Sequence, residues 1–230
     1  MNAATKVFAT RHGQTEWNAK ALLQGQKESG LTELGRKQSQ LLGRRLQGER
    51  LTAVYSSTSG RAVSTARLVA EPLALPFRQL PGLAEMDLGE WQGLSFADVA
   101  ERWPEAHERF WSAPADFTAT AGGESFHELH RRAVKCLAWI NEEHVGDTVL
   151  LVTHSLVIKA LWLVATGRPL ADFWVTEEFA PCGLTLLEHR QGWEVTLLDE
   201  RGHLSPTAEP MAARTDERSP ELSKRRSKPV

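Results

Sequence analysis

The sequence predicts an α/β protein, with a mostly parallel central sheet covered by helices on both faces. Three observations lead there. Short, β-prone apolar runs alternate with longer helical patterns along most of the chain. The three strongest of these runs read as strands buried in the interior. Each is followed at once by a polar stretch, at the strand end where parallel sheets gather their ligands.

Taken in order, residues 6–10 (KVFAT) read as a buried strand that ends at Arg11. Thr32 caps a helix over residues 33–46, with Leu34, Leu41, Leu42 and Leu46 near one face. Residues 53–56 (AVYS) form a second strand, followed by a helix from about residue 60 to residue 70 that Pro72 ends. Ser95 with Asp98 caps a short helix, and Pro104 and Pro114 punctuate the stretch up to Gly123. Trp103, Phe110, Trp111 and Phe117 lie in that stretch. They read equally as a lid or subsite wall and as the packing of a small helical subdomain.

Ser125 and Glu128 form a capping box in front of a long helix that ends near Gly146. Residues 148–152 are the most apolar strand, and a helix begins after His154. Two closing strands, 183–187 and 193–198, are joined by a polar turn. The run 148–166 is long enough to span a bilayer, but His154 and Lys159 interrupt it. Strand, polar turn and helix account for it better, and no membrane span is predicted.

A chain of 230 residues and 25.6 kDa suits one α/β domain or two small ones. With 27 basic against 29 acidic side chains, the net charge of −2 gives no general attraction to nucleic acid or an anionic membrane. The two cysteines, Cys136 and Cys182, form no metal-binding or disulfide framework, and residues 1–10 carry no export-signal pattern. A reduced, cytoplasmic setting is expected. From about residue 205 the composition turns proline-bearing and basic without aromatics, so a domain over 1–204 and a disordered tail over 205–230 are expected.

The sharpest chemical feature is Arg11-His12-Gly13-Gln14-Thr15-Glu16-Trp17-Asn18, directly after the first strand. Arginine offers forked donors to phosphate oxygens, and histidine can attack or shuttle protons. The second strand leads into Ser57-Thr58-Ser59-Gly60-Arg61 and the third into Thr153-His154-Ser155, both at helix starts that favour anions. Three strand ends thus offer two arginines and two histidines. Gly30 to Lys37 fails as a phosphate-binding P-loop because Arg36 stands where its lysine belongs. His127 and His130 lack zincin spacing and are expected on a solvated helix face.

Further runs extend the pattern: Leu31-Thr32-Glu33-Leu34-Gly35, Gly60-Arg61-Ala62 with Thr65-Ala66, Glu85-Met86-Asp87-Leu88-Gly89-Glu90-Trp91-Gln92-Gly93, and Gly123-Glu124-Ser125. With these motifs in this order over residues 5–200, the chain resembles the histidine phosphatase superfamily, also called phosphoglycerate mutase-like. The resemblance implies a three-layer α/β/α sandwich over residues 1–204, with a helical lid or insert at about 94–123. It implies His12 as the nucleophile that becomes a phosphohistidine. Arg11, Arg61 and His154 are implied as the phosphate clamp, Asn18 as a pocket residue beside it, and Glu85 as the acid that protonates the leaving oxygen and then activates water. His154 is expected to clamp better as a cation. No metal or cofactor is implied.

The expected activity is metal-independent hydrolysis of a small phosphomonoester, with no nucleic-acid or membrane partner and a homodimer left open. Phosphoglycerate mutase is the alternative, and a non-catalytic phospho-ligand binding domain a more distant one. Mutases of the family follow the acid with Arg-His-Tyr-Gly, whereas Glu85 is followed by Met86-Asp87-Leu88-Gly89, the phosphatase-like form. Ala84, Thr58-Ser59 and Ser155 depart from frequent family residues and bear on substrate fit rather than on the catalytic groups.

Overall fold

In a computed structural model, residues 3–119 and 122–205 are described. The expected disordered tail, from residue 206 onward, lies outside the described residues. Six strands form one sheet: β1 (Thr5–Arg11), β2 (Leu51–Ser56), β3 (Phe77–Gln79), β4 (Thr148–Thr153), β5 (Leu184–His189) and β6 (Trp193–Glu200). Their spatial order is β3-β2-β4-β1-β5-β6. The first four are parallel, and β5 and β6 add an antiparallel edge.

Alternation along the buried strands sorts their side chains into two layers. Val7, Ala9, Ala53, Tyr55, Val149 and Leu151 pack on one face, with residues of α6 (Phe126–Glu143) and α7 (Ser155–Thr166). Phe8, Val54, Leu150 and Val152 pack on the other, against α2 (Glu33–Leu46) and α3 (Gly60–Leu73). Burying each large apolar side chain here contributes about 1.5–3 kcal/mol. The result is the predicted three-layer α/β/α sandwich with a mostly parallel sheet.

Local chemistry explains most of the element ends. Thr32 accepts from the Gly35 N–H at 3.0 Å, and Ser95 and Ser125 close the capping boxes that start α4 (Phe96–Arg102) and α6. Pro104 opens α5 (Pro104–Ser112) in the first turn, where the missing N–H would have had no intrahelical partner. Gly167, at φ 65°, ends α7 in the left-handed region.

Two boundaries and two short elements differ from expectation. The helix expected to stop before Pro72 continues through it as α3 to Leu73. Proline in the last turn loses a single bond, and the Ala74 N–H closes the helix on Ala70 and Glu71 carbonyls. The edge strand β3 was not expected, because Phe77–Gln79 is too short to carry a pattern and depends on pairing with β2. A one-turn helix, α1 (Glu16–Ala19), was also unforeseen, and α6 ends at Glu143 rather than near Gly146.

The aromatic side chains between Trp91 and Phe126 form a packed cluster. Phe110 stands 5.1–5.3 Å from the rings of Trp91, Phe117, Phe126 and Trp174. Phe110 and Phe117 are buried, and Trp103 and Trp111 cover the cluster from outside. No helix among the described residues is long and apolar enough to cross a membrane.

Candidate active site

The ends of β1, β2 and β4 bring Arg11, His12, Arg61 and His154 together at the carboxyl edge of the parallel sheet. Their placement begins with two glycines. A Cβ on Gly13 would lie 2.4 Å from the Gly35 carbonyl oxygen, and one on Gly35 would lie 2.0 Å from the Gln14 carbonyl oxygen. The loop after β1 and the first turn of α2 therefore touch backbone to backbone. Gln38 accepts from the Gln14 N–H, and Thr32 donates its N–H to the Gln14 carbonyl. Thr65 of α3 accepts from the Gly13 N–H at 3.0 Å.

Hydrogen bonding fixes both imidazole tautomers. His12 Nδ1 lies 2.8 Å from the Gly13 carbonyl, which can only accept, so Nδ1 carries the proton. Nε2 is left with its lone pair, 3.3 Å from Arg61 Nε. Arg61 Nη2 lies 3.3 Å from His154 Nδ1, and arginine can only donate, so His154 carries its proton on Nε2. That N–H donates to Ser57 Oγ at 2.7 Å, with Ser59 Oγ at 3.1 Å. The two imidazole rings meet edge to face, with centroids 5.2 Å apart.

Arg61 is 2% exposed and is aimed by carbonyls as well as by imidazoles. Nη1 donates to Lys27 O at 2.7 Å and Nη2 to Gly25 O at 2.6 Å. Arg11 is held from the opposite side, where Nη1 meets Glu178 Oε1 at 2.7 Å and Phe179 O at 3.0 Å. Its Nε is buried without a hydrogen-bond partner among the described residues, so one edge of the guanidinium is uncommitted. Glu178 had no local signal, since it lies 167 positions from Arg11 in sequence.

Burial and the neighbouring cations Arg61 and Arg11 hold His12 well below the ordinary histidine pKa. The same burial, with Arg61, His12, Arg11 and Arg132, holds His154 well below it too. In this arrangement His154 is a neutral donor through Nε2, because three arginines and a second imidazole surround it in a dry pocket.

Glu85 reaches the site from the loop after β3. Oε1 accepts from the Met86 N–H at 2.9 Å, and Oε2 faces the Leu156 N–H in the first turn of α7 at 3.4 Å. Burial raises its pKa above the ordinary carboxyl value, opposed by the Met86 bond and by Arg61, Arg132 and Arg11. The neighbouring acids do other work. Asp87 accepts from the Gly89 N–H, and Glu90 points to solvent. Asn18 does not bond to the histidine–arginine cluster. Its Oδ1 accepts from the N–H and hydroxyl of Thr15 in the capping box of α1, which leaves the amide NH₂ as the available end.

Ser57 and Ser59, which follow β2, contact His154 Nε2 and orient that ring. Ser155 opens α7 with its hydroxyl buried and unpaired among the described residues. His127 is exposed and meets the Ala115 carbonyl instead of a cluster of ligands.

Buried arginines converging on two histidines, at the carboxyl edge of a parallel sheet, define an α/β enzyme of phosphoryl chemistry. A sequence model of the histidine phosphatase superfamily (branch 1) matches residues 7–200. The chain belongs to that superfamily and is a phosphatase. It is 41% identical over 164 residues to a metal-independent phosphoserine phosphatase of Arabidopsis thaliana, covering 70% of this chain and 69% of that protein. Phosphoserine phosphatase 1 of Hydrogenobacter thermophilus is 32% identical over 169 residues, covering 74% of this chain and 80% of the other. Among solved structures, Bacillus stearothermophilus YhfR superposes with a TM-score of 0.83 at 36% identity, covering 87% of this chain and 99% of that one.

Proposed function

We propose that this phosphatase hydrolyses a small phosphomonoester, without metal, through a phosphohistidine on His12. The observation that carries the reading is the Gly13 carbonyl on His12 Nδ1, which leaves Nε2 as the nucleophilic lone pair. Nε2 attacks phosphorus as the phosphorus–oxygen bond of the ester breaks. Glu85, whose raised pKa favours the protonated form, gives its proton to the departing oxygen. Glu85, now a carboxylate, then takes a proton from a water that attacks phosphorus. The phosphorus–nitrogen bond breaks, and phosphate leaves.

Arg61, the open edge of Arg11 and the amide of Asn18 are the donors for the phosphoryl oxygens, and His154 joins them when its Nε2–H turns from Ser57 Oγ to the phosphate. Fixed cations in a dry pocket stabilise the charge of the transferring group with little reorganisation. Arrival of the anion favours a proton on His154 and so strengthens the clamp as it forms. We place the enzyme in the cytoplasm, a setting that suits its buried free thiols Cys136 and Cys182.

The test is phosphate release from a panel of phosphomonoesters in the presence of a chelator. A wild-type sample quenched during turnover should hold an acid-labile, base-stable phosphate, and His12→Ala should lose both that label and turnover. Persistent turnover by folded His12→Ala would remove His12 from the role. A monophosphoglycerate isomerised in the presence of its bisphosphate, rather than hydrolysed, would make the protein a mutase.

A further inference from the structure

The segment that carries Glu85 is anchored at both ends by an ion pair that the reaction itself does not use. Arg132 of α6 makes a two-pronged bridge to Glu124, with Nε to Oε1 at 2.7 Å and Nη2 to Oε2 at 2.9 Å. Its third prong, Nη1, donates to the Gly82 carbonyl at 2.9 Å, three residues before Glu85. Glu124 grips the other side. Its Oε2 accepts from the Asp87 N–H at 3.3 Å, and its own N–H donates to the Asp87 carbonyl at 2.7 Å. Thr153, at the end of β4, adds a hydroxyl to the Leu83 carbonyl at 2.7 Å.

We propose that Arg132, bridged to Glu124, is a positioning residue that holds the Gly82-to-Asp87 segment so that the Glu85 carboxyl reaches the leaving oxygen. This rests on the acid role given to Glu85 above. The geometry favours positioning over a general structural role, because the pair grips this short segment from both flanks. Arginine suits the task, since its planar fork holds both oxygens of a carboxylate and a carbonyl in one fixed geometry, which the point charge of lysine does not impose. Arg132 also contributes to the field at Glu85 together with Arg61 from α3 and Arg11 from β1, so its loss changes the acid's titration as well as its position.

The experiment compares kcat/KM for an alkyl phosphate with that for p-nitrophenyl phosphate, whose leaving oxygen scarcely needs a proton. Arg132→Met should lower the alkyl value at least 30-fold and the p-nitrophenyl value less than 3-fold. The alkaline limb of the alkyl pH profile should move to higher pH, since a cation that held the carboxyl pKa down is gone. Arg132→Lys should bring the limb back toward the wild-type position while recovering little of the alkyl rate. Glu124→Gln, a milder change, should show the same selectivity at reduced size and covers the case of an unfolded Arg132→Met chain.

Equal losses on both substrates, or an unmoved alkaline limb, would overturn the proposal. In a Glu85→Gln background, Arg132→Met should cost little more, because the two act as one unit. If Glu85→Gln itself shows no leaving-group selectivity, the acid assignment fails. If Glu85→Gln is selective and the Arg132 and Glu124 variants are not, the positioning role alone falls.

Discussion

His154 shows how much of this site is set by hydrogen-bond bookkeeping around single atoms. Arg61 claims Nδ1, so the only proton of the neutral ring is on Nε2 and points at Ser57. Ser57 is fully buried, and removing its hydroxyl would leave His154 to the more distant Ser59. Ser57→Ala should therefore weaken the ring's orientation by about 1 kcal/mol, a roughly five-fold loss in kcat/KM that is similar for all phosphomonoesters. Steady-state kinetics on an alkyl and an aryl ester checks this, and an unchanged rate would show that Ser59 suffices. The charged residues of the cluster were legible in the sequence because they follow strands directly. Ser57, Glu178 and Arg132 were not given roles there, since each acts on a partner that only folding brings near.

Among the elements, the contact between the loop after β1 and α2 is the least forgiving. Gly35 sits in the first turn of α2, where a methyl group would meet the Gln14 carbonyl oxygen at 2.0 Å, with rigid backbone on both sides. Gly35→Ala should lower stability by about 3 kcal/mol, the upper end for overpacking. For a chain of this size that is a fall in melting temperature of roughly 6–12 °C, measurable by calorimetry. Activity should fall further than stability predicts, because the displaced loop carries His12. A fully active Gly35→Ala enzyme would show that the loop can shift without moving the nucleophile. Of the helices with capping boxes, α4 and α6 were legible at their starts because a serine and an acid three residues on are local chemistry within four residues, whereas the one-turn α1 is too short to carry an apolar period behind its cap. β3 was not, because its hydrogen bonds belong to β2, and no pattern of three residues announces a neighbour.

For the molecule as a whole, the two buried histidines link stability to pH. Both have folded pKa values below the ordinary 6.5, so as pH falls the unfolded chain takes up protons first. The stability they contribute is intact above about pH 6.5 and is lost as pH drops through their folded values, by up to about 2.7 kcal/mol per pH unit for two sites. Glu85, whose pKa is raised, acts with the opposite sign and favours the folded state toward lower pH. Denaturant midpoints should therefore decline on acidification below pH 6.5. The decline should be shallower in a His12→Gln, His154→Gln double variant, and parallel curves for the two chains would contradict the linkage. The division of the sheet into two apolar layers was legible from the buried strand runs, whereas this titration arises from the convergence of three strand ends.

The pairing of Arg11 with Glu178 has a consequence for the ions around the protein. A guanidinium already matched by a carboxylate at 2.7 Å holds little loosely bound chloride from the solvent. A phosphate dianion arriving at its open edge therefore displaces few mobile ions and gains little entropy from their release. Phosphate then joins the carboxylate on one arginine instead of replacing a mobile anion there. The dissociation constant of inorganic phosphate should accordingly vary less steeply with sodium chloride concentration than in Glu178→Gln, where a mobile anion must take over the neutralising role. A wild-type slope equal to or steeper than that of Glu178→Gln would mean that bulk chloride, not Glu178, is the resident counter-ion of Arg11.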